Sequence, residues 1–393
     1  MPTRPCWVEI STRALENNFR FLARLASPEA ELLAVVKADA YGHSLALCAP
    51  AVVRAGAGWL GVTSVEEAVE ARSFCPDVNI LVFGGVFPGQ GNAVVQHGLA
   101  PIVWEPQHLD ELASAARAAD ISSLPVHLEI DTGMSRQGVD LGGLTTLLER
   151  FHSSPAIQLE GLMTHLYAAD EADGRATSDQ LQRTSAAVEQ IQAAGFRPRW
   201  LSVGSSALLV SGQAEKITSL ARRYGMKALI RPGLALYGVA PQFDPPFGTP
   251  GPSALAESRS RLQPVLTWKT MVMSVRSIQP GSVVGYNGTF VATEPMRLAL
   301  VAVGYADGLD RQLGNRFSLL VRGQRAPIVG RISMDHAVLD VTEIHGVASG
   351  DEVVILGTQD RETITADHHA EATNTIPWEV FTRIGSRVKR AEV

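Results

Sequence analysis

Between Leu32 and Arg231, eight short apolar runs alternate with segments of helical period, a pattern that few folds can accommodate. The runs are Leu33 to Val36, Leu60 to Val62, Ile80 to Phe83, Ile102 to Trp104, Val126 to Ile130, Leu159 to Met163, Trp200 to Val203 and Ala228 to Ile230. Ser64 to Arg72, Gln107 to Ala119, Gly142 to Phe151 and Ser178 to Ala194 carry apolar residues at helical spacing between many of them. Strands alternating with helices predict βαβ units and a parallel sheet. Eight such units in roughly 250 residues fit an α/β fold of the (β/α)8 TIM-type barrel. The competing doubly wound sheet lacks support, because no Gly-x-Gly-x-x-Gly follows the first run.

Pro241, Pro245, Pro246, Pro250 and Pro252, with Gly248 and Gly251, form a stretch unsuited to helix or paired strand. The expected division is a barrel over residues 1–241, a linker over 242–258 and a mostly β C-terminal domain over 259–393, with the first ten or so residues free to join the β domain. In that second domain Leu266 to Val275, Leu298 to Val303, Ser318 to Val321, Ala326 to Val329, Ala337 to Val341 and Glu352 to Leu356 read as short strands. His368 and His369 read as surface histidines, with no third ligand at metal spacing.

A length of 393 residues points to more than one domain. The net charge of -6 is spread out, with no basic run or stripe, so neither nucleic acid nor an anionic membrane is expected as a partner. Cys6, Cys48 and Cys75 are too few and scattered for a disulfide framework and argue for a reducing compartment. Met1 to Ile10 has no continuous apolar core, and no stretch approaches the ~18 apolar residues of a membrane span. The expected location is the cytoplasm.

Two charged residues stand where apolar runs end. Lys37 follows Ala34-Val35-Val36, at the position where a barrel strand delivers catalytic groups. A lysine amine titrates near ~10.4, so use as a nucleophile in Schiff-base chemistry needs desolvation or a cationic neighbour. Arg231 ends the eighth run, where a guanidinium needs a buried acceptor or a ligand. Ser205 follows the seventh run, and Gly233 and Leu234 follow the eighth, where this fold often binds phosphate through backbone N–H groups.

The string Val36-Lys37-Ala38-Asp39-Ala40-Tyr41-Gly42-His43-Ser44 closely resembles the pyridoxal-phosphate signature of alanine racemases, in which Asn is commoner at the Asp39 place and Gly at the Ser44 place. Six further strings match in family order: Asp131-Thr132-Gly133-Met134-Ser135-Arg136, Thr164-His165, Ser205-Ser206-Ala207, Arg231-Pro232-Gly233, Gly304-Tyr305-Ala306-Asp307-Gly308 and Gly330-Arg331-Ile332-Ser333-Met334-Asp335.

The resemblance implies an isomerase that interconverts L- and D-alanine with pyridoxal 5'-phosphate, as a homodimer with shared active sites. It implies Lys37 as the linking amine and one catalytic base, and Tyr286 of the partner subunit as the other. It implies phosphate contacts from Tyr41, Ser205 and the amides of Gly233 and Leu234, and Arg231 facing the ring nitrogen with His165 between Arg231 and Tyr286. Arg136 and the backbone N–H of Met334 are implied substrate contacts, and Tyr305 is implied at the substrate entrance.

Two positions depart from the pattern. Glu129 stands where many members carry a carbamylated lysine, and Trp378, in Asn374-Thr375-Ile376-Pro377-Trp378, stands where a tyrosine usually closes the pocket. They motivate one alternative, a racemase of serine or another small amino acid; a second, a non-catalytic pyridoxal-phosphate-binding protein related to the barrel alone, would not need the β domain or Tyr286.

Overall fold

The computed structural model describes residues 4–243 and 253–393. The chain divides into two compact units, one made of Arg13–Ala40 and Cys48–Gln263, the other of the N-terminal residues up to Thr12, Tyr41–Leu47 and Pro264–Val393. The N-terminal strand β1 (Cys6–Ile10) belongs to the second unit, pairing there with strand β10 (Leu266–Ile278).

Strands β2 (Ala30–Val35), β3 (Trp59–Val62), β4 (Asn79–Val82), β5 (Ala100–Val103), β6 (Leu124–Glu129), β7 (Ile157–Met163), β8 (Trp200–Ser205) and β9 (Lys227–Arg231) form a closed parallel barrel. Each of the eight expected runs overlaps one of them. Residues such as Leu60, Leu81, Ile102, Leu128 and Leu162 are fully buried, which is why the strands read as continuous apolar runs without alternation. The barrel closes where Leu32 of β2 registers with Ile230 of β9.

Large side chains fill the barrel over glycines. A Cβ on Gly161 would lie 2.4 Å from ring atoms of His127, and one on Gly61 2.4 Å from Leu33 and Phe83. His127 is fully buried on β6 and meets the Trp59 ring edge-to-face at 5.6 Å. Desolvation pushes its pKa down to about 3, with the Arg231 charge acting in the same sense, so the imidazole is neutral.

Helices fall between the strands as expected. Helix Val65–Phe74 starts at Ser64, whose hydroxyl accepts the Glu67 N–H, and helix Pro106–Ala118 starts on a proline that needs no donor there. Most of the expected linker, residues 244–252, lies outside the described residues, and its last part differs from expectation. Ser253–Arg261 is a helix, because the proline-rich composition stops at Pro252 and Ala254-Leu255-Ala256-Glu257 are good helix formers.

The second unit is a mostly β structure with strands β11 (Val283–Val284), β12 (Phe290–Val291), β13 (Met296–Val301), β14 (Ser318–Val321), β15 (Gln324–Pro327), β16 (Ala337–Asp340), β17 (Glu352–Gln359), β18 (Glu362–Ile364) and β19 (Lys389–Glu392). The main path runs β15-β14-β17-β10-β1-β19. A register shift between Val272 and Ser274 bends β10, and its distal half pairs with β13. His369 corrects the surface reading of the histidine pair: it is buried in helix Ala366–Thr373, with its Nε2 2.8 Å from the Ile355 carbonyl and its ring against Phe317. Among the described residues no helix is long and apolar enough to cross a membrane.

Candidate active site

The barrel unit brings its candidate residues to the C-terminal ends of the strands. Lys37 follows β2 after Val36, whose N–H donates to the Gly61 carbonyl of β3. The backbone then does something that the residue types disfavour. Ala38, Asp39, Ala40 and Tyr41 are all left-handed, with φ of 53°, 52°, 55° and 55°. Each non-glycine residue there costs ~1–2 kcal/mol, so the turn persists only through the contacts around it. Tyr237, buried after β9, donates its hydroxyl to the Val35 carbonyl and steadies the strand end beside the lysine.

The Lys37 amine is held below the ordinary lysine value, first by burial and then by the Arg136 and Arg231 charges, with Glu67 opposing them. This is the depression that its expected role requires.

Arg231, 5% exposed at the end of β9, is the polar centre of the barrel site. It donates through Nη1 to the Ser202 hydroxyl at 2.8 Å, and through Nη2 to the Thr164 carbonyl at 3.0 Å and to Nδ1 of His165 at 3.2 Å. A guanidinium only donates, so Nδ1 accepts and the neutral imidazole carries its proton on Nε2. Desolvation and the cations Arg231, Arg136 and Lys37 push the His165 pKa down to about 3. Burial lowers Arg231 itself to about 10, with the Glu129 carboxylate acting in the opposite sense.

Glu129 ends β6 and is buried. Gln137 donates its amide nitrogen to Glu129 Oε2 at 2.5 Å and to the Phe83 carbonyl at 3.0 Å. Desolvation raises the Glu129 pKa, while Gln137, Arg231 and Arg136 pull it down. Arg136 is exposed on the following loop, whose shape is set by Asp131: its carboxylate accepts the N–H groups of Gly133, Met134 and Ser135 at 2.8–3.1 Å.

Two adjacent serines, Ser205 and Ser206, follow the end of the seventh run and differ in their contacts. Ser205 is half-buried and makes no side-chain capping bond, whereas the Ser206 hydroxyl accepts the N–H groups of Gly233 at 3.0 Å and Ala235 at 3.2 Å. The seventh apolar run pointed to a strand ending at Val203, but β8 continues to Ser205 with a register shift after Ser202, so the next serine faces Gly233. Leu234 opens a 3-10 helix, Leu234–Tyr237, directly after Gly233.

Gln180 was also missed by sequence reasoning. Fully buried in helix Arg175–Ala193, it donates to the Thr132 hydroxyl and the His165 carbonyl, both at 2.9 Å, and accepts the Tyr167 N–H at 3.0 Å. Only the chain's folding unites these residues, and no local period signals it.

In the second unit, Tyr286 opens the turn Tyr286–Gly288 and is 68% exposed. Met334 and Tyr305 are exposed on two turns joined by Tyr305 N–H to Ser333 O at 3.1 Å and Ala306 N–H to Met334 O at 3.0 Å. Asp307, fully buried, anchors them by accepting from Arg4 and Arg387 at 2.7 Å each and from Gly304 N–H at 2.9 Å. Tyr41 is buried, and Trp378 is half-buried in helix Pro377–Thr382.

The family model of the alanine racemase N-terminal domain matches residues 10–241, and that of the alanine racemase C-terminal domain matches residues 265–392. The chain belongs to the alanine racemase family. An alanine racemase of Sorangium cellulosum is 36% identical over 396 residues, covering 98% of each chain. One from Symbiobacterium thermophilum is 37% identical over 388 residues, with 98% of this chain and 97% of that protein covered.

Solved structures agree. Alanine racemase from D-cycloserine-producing Streptomyces lavendulae aligns with a TM-score of 0.88 at 32% identity, over 100% of this chain and 98% of that one. The Bartonella henselae alanine racemase, crystallised with covalently bound pyridoxal phosphate, aligns with a TM-score of 0.82 at 29% identity, over 99% of each chain. Alanine racemases are pyridoxal-phosphate-dependent isomerases, and membership of the family supports racemisation of alanine by this chain.

Proposed function

We propose that this chain interconverts L- and D-alanine by a two-base mechanism with pyridoxal 5'-phosphate, acting as a homodimer that shares its active sites. The observation that carries the reading is the convergence on Arg231 of His165 and the ends of β7 and β8, beside an amine, Lys37, whose pKa is lowered by burial and two guanidinium groups. The chain's residues fit the cofactor. A depressed amine suits linkage to its aldehyde, Arg231 suits its ring nitrogen, and the Ser206 hydroxyl with the Gly233 and Leu234 amides suits its phosphate, with Tyr41 and Ser205 as further candidates.

When bound, the cofactor supplies an electron sink conjugated to the amino acid's Cα. Arg231, a guanidinium without an acceptor, would leave the ring nitrogen unprotonated and temper that sink, which would favour return of a proton to Cα over other outcomes. Lys37 takes the Cα proton of the D isomer and returns one from the same face in the opposite direction. Tyr286 of a second copy does the same for the L isomer on the other face. His165 stabilises the phenolate through its Nε2 proton, a need set by the ordinary phenol pKa of ~10. Arg136 and the Met334 N–H orient the substrate carboxylate, and Tyr305 lines the approach. Substrate size is set in part by Trp378, so serine is the second substrate to try. The buried thiols of Cys6, Cys48 and Cys75 fit a cytoplasmic protein.

Complementation tests the sharing of residues between copies. Lys37→Ala and Tyr286→Phe each inactivate the enzyme. Mixed dimers, refolded together, regain about a quarter of parental activity, since half the dimers are hybrids and each hybrid has one intact site. No recovery, with mixed dimers demonstrated, overturns the shared site.

A further inference from the structure

Glu67 lies in helix Val65–Phe74, outside every role assigned so far. Its two carboxylate oxygens bridge two strand ends: Oε1 accepts the Ala38 N–H at 2.8 Å and Oε2 accepts the Thr63 N–H at 2.7 Å. Ala38 is the residue after Lys37 and the first of the four left-handed residues, and Thr63 is the first residue after β3. The left-handed turn lacks the usual preference of its side chains, and the charge-assisted bond to Ala38 holds its first amide. The helix start fixes Glu67 in turn, through the bond from its own N–H to the Ser64 hydroxyl at 3.2 Å.

We propose that Glu67 is a positioning residue for Lys37, holding the left-handed turn by its Ala38 amide and setting one negative charge near an amine otherwise surrounded by cations. The cations are Arg136 from the loop after β6 and Arg231 from β9, with the neutral His165 after β7 completing the surroundings. The direction of the effect follows from charge: Glu67 favours the protonated amine, while burial, Arg136 and Arg231 disfavour it. The inference rests on the role of Lys37 proposed above.

The test uses the holoenzyme of Glu67→Gln, Glu67→Ala and Lys37→Ala, with Glu70→Ala, an exposed acid on the same helix, as control. Racemisation and the visible absorbance of the bound cofactor are followed against pH. Glu67→Gln keeps the size and one acceptor but not the charge, so the acid limb of kcat/KM and the titration of the cofactor band both move to lower pH. Glu67→Ala also loses the amide bridge, and kcat/KM at the plateau falls on the order of tenfold. Glu70→Ala matches the parent. If Glu67→Ala does not fold, the pH shift of Glu67→Gln decides. Parental limbs and band titration in Glu67→Gln, with Lys37→Ala inactive, overturn the role of Glu67 alone. Retained racemisation in Lys37→Ala overturns the reading on which it rests.

Discussion

Arg231 holds Nδ1 of His165 as an acceptor at 3.2 Å, so the proton of the neutral imidazole points away from the guanidinium on Nε2. A histidine so placed has one donor to offer, and a fixed positive charge behind it. The same guanidinium also binds the Thr164 carbonyl and the Ser202 hydroxyl, so its place is set by β7 and β8 together.

Replacing Arg231 therefore changes chemistry as well as packing. Arg231→Gln lowers kcat on the order of 100-fold, the usual effect of removing one preorganised donor. Arg231→Glu, which brings an acid to the ring nitrogen, raises the ratio of pyruvate formed to alanine racemised. Pyruvate measured with lactate dehydrogenase beside the racemisation rate checks both, and an unchanged ratio in Arg231→Glu contradicts the role given to the charge.

Gln137 supports the buried carboxylate of Glu129 and cannot be removed without cost. Gln137→Ala leaves Glu129 without its amide donor and destabilises the protein by ~1–3 kcal/mol, with a lower thermal midpoint. Adding Glu129→Leu to that variant recovers part of the loss, because the stranded carboxylate is gone. Thermal melts of the single and double variants read the difference.

Stability falls as the solution is acidified from neutral pH. His127 and His165 are depressed to about 3 and His369 to about 4, against an ordinary value of 6.5. Between those values the unfolded chain binds more protons than the folded one, so the stability present above pH 6.5 is lost as pH falls toward the folded values. Each histidine contributes a slope of up to ~1.4 kcal/mol per pH unit. Glu129 and Glu160, raised by burial, act in the opposite sense, but two carboxyls do not offset three imidazoles that resist protonation through the whole interval. Urea unfolding at a series of pH values checks the sign, and a flat profile between neutrality and mild acid contradicts it.

Asp307 joins the turns that present Tyr305 and Met334. Asp307→Asn removes the charge shared by Arg4 and Arg387 and costs about 2–3 kcal/mol, below the ~3–5 kcal/mol of a fully buried pair because both arginines are partly exposed. The KM for alanine rises more than kcat falls, since the expected substrate contact at Met334 is loosened. Steady-state kinetics beside a melt separate the two effects.

The barrel was legible because its strands are buried on both faces and therefore stand out as apolar runs, and Lys37 and Arg231 because charge at the end of such a run has few explanations. What escaped depends on geometry that no local period encodes. Nothing in Ala38-Asp39-Ala40-Tyr41 signals a left-handed turn, since each residue alone disfavours it. The contact of the Ser206 hydroxyl with the Gly233 amide was hidden because the strand runs two residues past its apolar stretch. His369 looked solvated beside His368, yet its partner, Ile355, lies on a different element. Gln180 and Glu67 join loops contributed by different strands, and only the closed barrel brings those loops together.

The central claim is tested most directly by incubating L-alanine with the purified, cofactor-loaded protein and resolving the enantiomers by chiral chromatography, with Lys37→Ala and Tyr286→Phe alongside. D-alanine accumulating to an equal mixture with the parent, and at greatly reduced rates with both variants, is the predicted result. Alanine left unchanged by a parent that shows the absorbance of bound cofactor contradicts the substrate assignment, and parental rates in either variant contradict the two-base mechanism.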